Sequence, residues 1–148
     1  MREIEFRGKR RDGKWFYGSL ITDRFETPDG SGNMDSGKAG LIVLIQDNKR
    51  SFTHEVIPET VGQYTGLEDR KGVKIFEGDI VRLENGVEDE TIAGFVTFQD
   101  ASWQVDYGPE LISLWHQLVG LEEYQTAEVI GNIHDTPELL VWDHEYTL

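Results

Sequence analysis

The chain has 148 residues, with 28 acids against 14 bases, and it contains no cysteine. Its length fits one domain or two small ones, and the lack of cysteine excludes a disulfide framework, a thiolate zinc site and a cysteine nucleophile. The formal net charge of −14 argues against nucleic acid as a partner, because nucleic-acid binders present a basic footprint. Aromatic residues make up 11% of the chain, which is too many for a disordered one.

In chain order, the first elements form a hairpin. The alternation of apolar and polar residues over 4–7 predicts a strand, and Asp12-Gly13 supplies the tight turn before a return strand over 15–21. Residues 27–40 are rich in Gly, Ser and Asp and predict a long loop. Two further strands are predicted, over 41–45 and 51–57.

Glycines punctuate the middle of the chain and argue against a long helix there. Residues 59–74 are therefore predicted to be a connector. Strands follow, and one helix is predicted near 110–119, where Leu111, Leu114, Trp115 and Leu118 recur at helical spacing. The predicted strands are 79–83, 92–99, 103–107 and 128–133. We expect a mainly β protein: an N-terminal β region (1–58), a connector (59–74) and a small SH3-like barrel with one short helix (75–148).

Charge is distributed unevenly along the chain. Residues 1–24 hold seven bases and four acids, whereas residues 83–148 hold fourteen acids and no lysine or arginine. Because Phe95, Trp103 and Trp115 lie among many aliphatic residues in this acidic half, it is predicted to be folded rather than a disordered tail. The acidity serves either solubility or a basic partner.

No segment predicts export or membrane insertion. The first 14 residues are polar and charged, and the longest apolar run is 41–45. A secretory signal needs an apolar core, and a membrane-spanning helix needs about 20 apolar residues. The sequence therefore predicts a cytoplasmic protein that does not contact membranes.

Four sequence blocks occur in order and cover most of the chain. A charged N-terminal strand (2–7) precedes Thr-Val-Gly-Gln-Tyr-Thr-Gly-Leu-Glu-Asp (60–69), Ile-Phe-Glu-Gly-Asp-Ile (75–80) and Val-Ile-Gly-Asn-Ile-His (129–134) before a Pro-Glu-Leu. Together they closely resemble the YopX family of phage and prophage proteins. The resemblance implies a phage-related, mostly β protein that self-associates, and it implies no activity.

The blocks themselves favour architecture over chemistry. Glycine permits turns that a Cβ would obstruct, as at Gly62 and Gly66, and Gly78-Asp79 is typical of a turn in which the carboxylate binds nearby backbone. Gly131-Asn132 predicts a bulge or a tight crossing. The candidate binding residues in these motifs are Gly62, Gln63, Tyr64, Thr65, Gly66, Glu77, Gly78, Asp79, Gly131 and Asn132.

Signatures of catalysis are absent from the sequence. It contains no P-loop, dinucleotide-binding fingerprint, nucleophile elbow or His-Glu-x-x-His motif, so no enzymatic activity and no cofactor are predicted. Oxygen side chains alternate in the 27–40 loop, but Met34 and Gly40 replace the Gly and Glu of a calcium loop. The acidic cluster 88–90 and the pairs His134-Asp135 and His144-Glu145 are further cation candidates. No metal site is predicted, and cation binding by 27–40 or 88–90 stays open.

A basic hairpin offers one further possibility. Five bases flank the aromatic residues 15–17, an arrangement that can bind single-stranded nucleic acid by stacking beside a cationic strip. These bases are Arg7, Lys9, Arg10, Arg11 and Lys14. We instead expect a non-enzymatic accessory protein that acts through protein–protein contacts and forms a homo-oligomer. The alternatives are an acidic mimic of nucleic acid that inhibits a basic host protein, and a weak single-stranded nucleic-acid binder.

Overall fold

The computed structural model describes residues 1–26, 39–85, 90–119 and 124–140. The chain divides into two compact units: an N-terminal unit, Glu3–Gln63, and a C-terminal unit, Tyr64–Leu148 together with Met1–Arg2. Each unit is built on an antiparallel sheet, which confirms the predicted mainly β fold.

The N-terminal unit is a meander. Its strands pair in the order β4-β3-β2-β1, and the first two residues of β5 add to the free side of β1. The strands are β1 (Phe6–Lys9), β2 (Trp15–Glu26), β3 (Ala39–Asp47), β4 (Thr53–Glu55) and β5 (Gly62–Glu68). A short 3-10 helix, Pro58–Thr60, precedes β5 and is tied to β1, since Lys9 donates its backbone N–H to Thr60 Oγ1 at 2.8 Å.

The β1–β2 hairpin forms as predicted. Gly13 takes φ +90°, and Asp12 Oδ1 accepts the backbone N–H of Lys14 at 3.2 Å, so both residues close the turn. Gly8 lies opposite Phe16 on the inner face of the hairpin. That face packs on a small core of Val43, Ile45 and Val56, with Phe6, Phe16, Leu20 and Val61 against it.

The C-terminal unit carries a five-stranded sheet. After Gln63, β5 pairs with β6 (Lys74–Phe76), and the sheet follows in the order β10-β9-β8-β7-β11. Its strands are β7 (Asp79–Asn85), β8 (Glu90–Gln99), β9 (Ser102–Asp106), β10 (Leu111–Ser113) and β11 (Tyr124–Asn132). One face packs with helix α1 (Leu114–Val119) on a core formed by Ile75, Val81, Leu83, Val96, Val105, Leu114 and Ala127.

The five-stranded sheet is open rather than a closed barrel. Strands β10 and β11 are its two edges, and no pairing joins them among the residues that the structure describes. Gly94 lies inside β8 because a Cβ there would come within 2.6 Å of the Asp106 carbonyl oxygen. Strands β8 and β9 therefore approach each other closely at Gly94, and their register remains continuous.

Several boundaries differ from the prediction. Residues 59–74, predicted to be a connector, hold most of the β5–β6 hairpin. The helix begins at Leu114, because 111–113 pair with β9 as an edge strand. Strand β3 begins at Ala39, two residues before the apolar run, since it pairs with β2 as far as Glu26. Within the described segments, no helix is long or apolar enough to cross a membrane.

Candidate interaction surfaces

The basic hairpin uses part of its charge for packing. Arg7 is buried, and its guanidinium lies 4.9 Å from the centre of the Trp15 ring. Lys9 is half-buried. Arginine stacks readily on aromatic faces, so Arg7 stabilises the hairpin instead of presenting a free cation to solvent.

Arg10 belongs to a second cation–aromatic group. Its guanidinium lies 4.8 Å from the Phe16 ring centre, forms an ion pair with Asp12, and places Nη1 3.2 Å from His54 Nδ1. His54 stacks on Phe16 with ring centres 3.6 Å apart. The ion pair raises the pKa of Arg10 and lowers the pKa of Asp12 to about 2. Of the five hairpin bases, Arg11 and Lys14 are the exposed ones.

The block around β5 builds a bulged strand. Thr65 Oγ1 donates to the Ile75 carbonyl at 2.8 Å and accepts the Leu67 N–H at 3.1 Å. Gly66 takes φ +84° where the register with β6 shifts. Gly62 lies in the strand opposite Arg7 and does not form the predicted turn. Gln63 pairs with Phe6, whereas the buried ring of Tyr64 packs at 5.6 Å from that of Phe76.

Asp69, at the end of the same block, holds the β5–β6 turn and β11 together. It is 6% exposed. Its Oδ1 accepts the N–H groups of Lys71 (2.8 Å) and Val73 (2.9 Å), and its Oδ2 accepts that of Val129 (3.0 Å). Arg70 adds a backbone hydrogen bond to the Ala127 carbonyl at 3.1 Å. The turn thereby provides hydrogen-bond partners for backbone groups on the open edge of β11, which would otherwise be available to pair with another strand.

The Glu77-Gly78-Asp79 block turns β6 into β7. Asp79 is 2% exposed, and its Oδ2 accepts the Phe76 N–H at 2.8 Å, which confirms the predicted carboxylate–backbone bond. Gly78 takes φ +87°. Glu77 is half-buried, and burial raises its pKa.

The last block ends β11 in a tight turn. A register shift falls between Val129 and Gly131, so the predicted bulge is confirmed. A Cβ on Gly131 would lie 2.1 Å from Thr136 Oγ1, which explains the glycine. Asn132 Oδ1 accepts the N–H groups of His134 (3.0 Å) and Asp135 (2.9 Å). The side chains of these three blocks thus serve chain reversal and edge closure.

Three cations converge on one carboxylate in the C-terminal unit. Glu128 Oε2 accepts from Arg70 at 2.7 Å and Arg82 at 2.9 Å, and its Oε1 accepts from Lys71 at 2.6 Å. The Glu128 side chain is 13% exposed. Hydrogen bonds from Lys71 and Arg70, the largest influences, hold the pKa of Glu128 at about 2. Glu128 is therefore ionised throughout the neutral range.

This convergence involves most of the bases in residues 64–148. Residues 64–148 contain four bases. Three of them contact Glu128, and the fourth, Lys74, places Nζ 5.0 Å from the Tyr64 ring centre. Exposed acids elsewhere in the unit include Asp100, Glu110, Asp135 and Glu138. The four bases of residues 64–148 thus make local contacts, while these four acids are exposed.

Metal-binding geometry does not form in the parts of the chain that the structure describes, where no group of three His, Asp or Glu side chains could hold an ion. Residues 27–38 of the candidate loop 27–40, residues 88–89 of the acidic cluster 88–90 and the pair 144–145 lie outside the described residues. His134 lies after β11, where its backbone N–H is bonded to Asn132.

Sequence reasoning missed Asp69, Glu128 and two exposed bases, Lys49 and Arg50. Asp69 closes the Thr-Gly-Leu-Glu-Asp block, and its position after a glycine-containing strand is the available signal. Glu128 faces Arg82 across the β7–β11 pair, and a lone acid in an apolar strand pattern points to such a cross-strand partner. Lys49 and Arg50 stand in the β3–β4 turn.

Comparison with known proteins agrees with this architecture. The chain is similar to the SPbeta prophage-derived uncharacterized protein YopX of Bacillus subtilis (strain 168). The two are 29% identical over 111 residues, which cover 68% of this chain and 83% of that protein. Its fold is similar to that of the crystal structure of protein EF1440 from Enterococcus faecalis, with a TM-score of 0.52 and 20% identity over 95% of this chain and 100% of that one. It is also similar to the crystal structure of yopX from B. subtilis, with a TM-score of 0.53 and 19% identity over 96% of this chain and 98% of that one. The YopX protein family matches residues 5–141, and the chain belongs to that family.

Proposed function

We propose that the chain is a non-enzymatic, cytoplasmic accessory protein of phage or prophage origin that acts through protein–protein contacts and associates with copies of itself. The prophage-derived relative supports the origin. The observation that carries the proposal is that the bases of residues 64–148 all make local contacts, three with Glu128 and one with the Tyr64 ring.

The consequence is electrostatic. The fourteen acids of residues 83–148 have no lysine or arginine in their own segment, and one of them, Glu128, engages three of the bases nearby. A surface with this excess of negative charge attracts a basic partner over about a Debye length, roughly 8 Å at physiological salt. A contact between unlike surfaces of identical copies is heterologous and builds rings or filaments.

The fold of residues 75–148 fits an interaction module. We extend the proposal to an SH3-like fold for these residues. Three features support it: three consecutive antiparallel strands, a short helix, and a final strand that returns beside β7. Fold alone does not deliver function, so the assignment adds only the expectation of a recognition role.

Sedimentation velocity at two salt concentrations tests self-association. At about 0.1 M salt, where the Debye length is about 10 Å, we expect an oligomer; at about 1 M, where it is about 3 Å, we expect dissociation. Mass photometry of the same samples gives the number of copies. A monomer under both conditions would overturn the proposal.

A basic protein of the host is the second candidate partner, favoured by the same acidic segment if it imitates the phosphates of nucleic acid. Capture from a bacterial host lysate, followed by salt elution, discriminates between the two. If the purified chain is monomeric and captures a DNA-binding protein that salt then releases, the result supports mimicry. If the chain retains only further copies of itself, the result supports self-association.

A further inference from the structure

The N-terminal unit gathers bases from two turns at one end of its sheet. Strands β1 and β3 are both antiparallel to β2, so they run in the same direction, and the turns that follow them emerge at the same end. We name this the basic end and define it as residues 7–14 and 47–54. It holds seven Lys or Arg and two acids.

Contacts fix the two turns of the basic end. Arg10 Nη1 lies 3.2 Å from His54 Nδ1 and so links one segment to the other. In the second turn, Asp47 donates its N–H to the Phe52 carbonyl at 2.8 Å and accepts the Ser51 N–H at 3.0 Å. Lys49 and Arg50 therefore project from a closed turn, and little backbone freedom is lost when they bind.

Both acids of the basic end are already engaged. Asp12 is paired with Arg10, and Asp47 Oδ1 accepts the Lys49 N–H at 2.7 Å. The cations that face solvent are Arg11, Lys14, Lys49 and Arg50. The basic end is thus a positive surface on a chain of net charge −14.

Exposed aromatic rings accompany this charge. Phe52 is 62% exposed and Tyr17 is 42% exposed. Aromatic and arginine side chains supply much of the binding energy at protein interfaces. The rings best placed to stack nucleobases are used internally, since Arg7 and Arg10 lie over Trp15 and Phe16. These features favour an acidic protein surface over single-stranded nucleic acid.

We infer that the basic end is the receiving surface for the acidic C-terminal unit of a second copy of this chain. This rests on the proposed self-association and names the surface that carries it. Charge complementarity supports the choice, because residues 83–148 supply fourteen acids without a lysine or arginine, whereas the basic end supplies cations that face solvent.

A charge-reversal pair tests the assignment. Arg11→Glu/Arg50→Glu alters one exposed base in each turn; the matched control, Arg2→Glu/Arg24→Glu, makes the same change in net charge at exposed bases outside the basic end. Sedimentation velocity at low salt should show association about tenfold weaker for the first variant and close to wild type for the control. Circular dichroism verifies that both variants fold.

The outcomes separate this inference from the proposed function. A wild-type chain that is monomeric at every salt concentration overturns both. Salt-sensitive association that the two double variants weaken equally, or not at all, leaves self-association standing and overturns the basic end as its surface. A gel shift of single-stranded DNA by the wild type that Arg11→Glu/Arg50→Glu abolishes would make the partner a nucleic acid and overturn the inference.

Discussion

Asp69 Oδ2 accepts the backbone N–H of Val129 at 3.0 Å, although the two residues are 60 positions apart in the sequence. Asp69 ends the sequence block of β5, and Val129 begins the block of β11. The bond therefore joins two of the family's blocks directly, and it ties the β5–β6 turn to the edge of the five-stranded sheet.

Replacing Asp69 by Asn tests this junction. The amide oxygen can still accept from Lys71 and Val73, but the amide nitrogen would face the Val129 N–H, donor against donor. We expect a loss of about 2 kcal/mol in the free energy of unfolding, the cost typical of an unsatisfied buried donor. Urea denaturation measures the loss. Glu68→Gln, on the exposed last residue of β5, should change it little, and faster hydrogen exchange at the Val129 amide would locate the effect.

Glu128→Gln should remove a pH dependence of stability. The pKa of Glu128 is about 2 in the folded chain against an ordinary value of 4.5. A lowered pKa contributes stability that is present above pH 4.5 and is lost as the pH falls towards 2. The variant should unfold more easily at pH 7 and lose less stability on acidification than the wild type. Glu138→Gln is the control, and similar pH curves for wild type and Glu128→Gln would contradict the prediction.

The pH dependence of stability has the opposite sign at Glu77. Burial raises its pKa, so the folded chain holds this proton more tightly, and stability falls as the pH rises through and above the ordinary value of 4.5. We expect Glu77→Gln to gain stability relative to the wild type at pH 7 and to gain less at pH 4. Thermal unfolding at both pH values measures the difference; an equal effect at both would show that the charge of Glu77 is irrelevant.

Gly8 and Val56 should show strong coupling. A Cβ on Gly8 would lie 2.6 Å from Val56 Cγ2, and its nearest neighbours are all atoms of that side chain. Gly8→Ala should cost about 1–3 kcal/mol from overpacking. Val56→Ala removes both Cγ atoms but keeps its Cβ, 2.8 Å from the added Cβ, so it relieves the overpacking in part and the double variant should lose less than the two single losses combined. Strict additivity in urea denaturation would refute the contact.

The local sequence pattern predicted most strands of this fold, because the alternation of apolar and polar residues and the choice of turn residues both act over short stretches of chain. The β1–β2 hairpin needs only Asp12 and Gly13 for its turn. The β5–β6 hairpin escaped prediction because its glycines were interpreted as turns, whereas Gly62 is paired within a strand and Gly66 forms a bulge.

The candidate surfaces were less predictable for a different reason. Glu128 lies 46 residues from Arg82 and 58 from Arg70, and their convergence depends on the β7–β11 register and on where the β5–β6 turn docks. The excess of acids could be counted from the sequence. The capture of the neighbouring bases could not, because it is a property of tertiary packing.

The pairing of β2 with β3 has a consequence for how the chain can vary. All nine residues of β3 pair with β2 in unbroken register, from Gly18–Asp47 to Glu26–Ala39. The register is thus set by the strands themselves and not by the number of residues that join them. An insertion within 27–38 should therefore leave the β2–β3 register unchanged, so a reporter sequence can be introduced between these two strands.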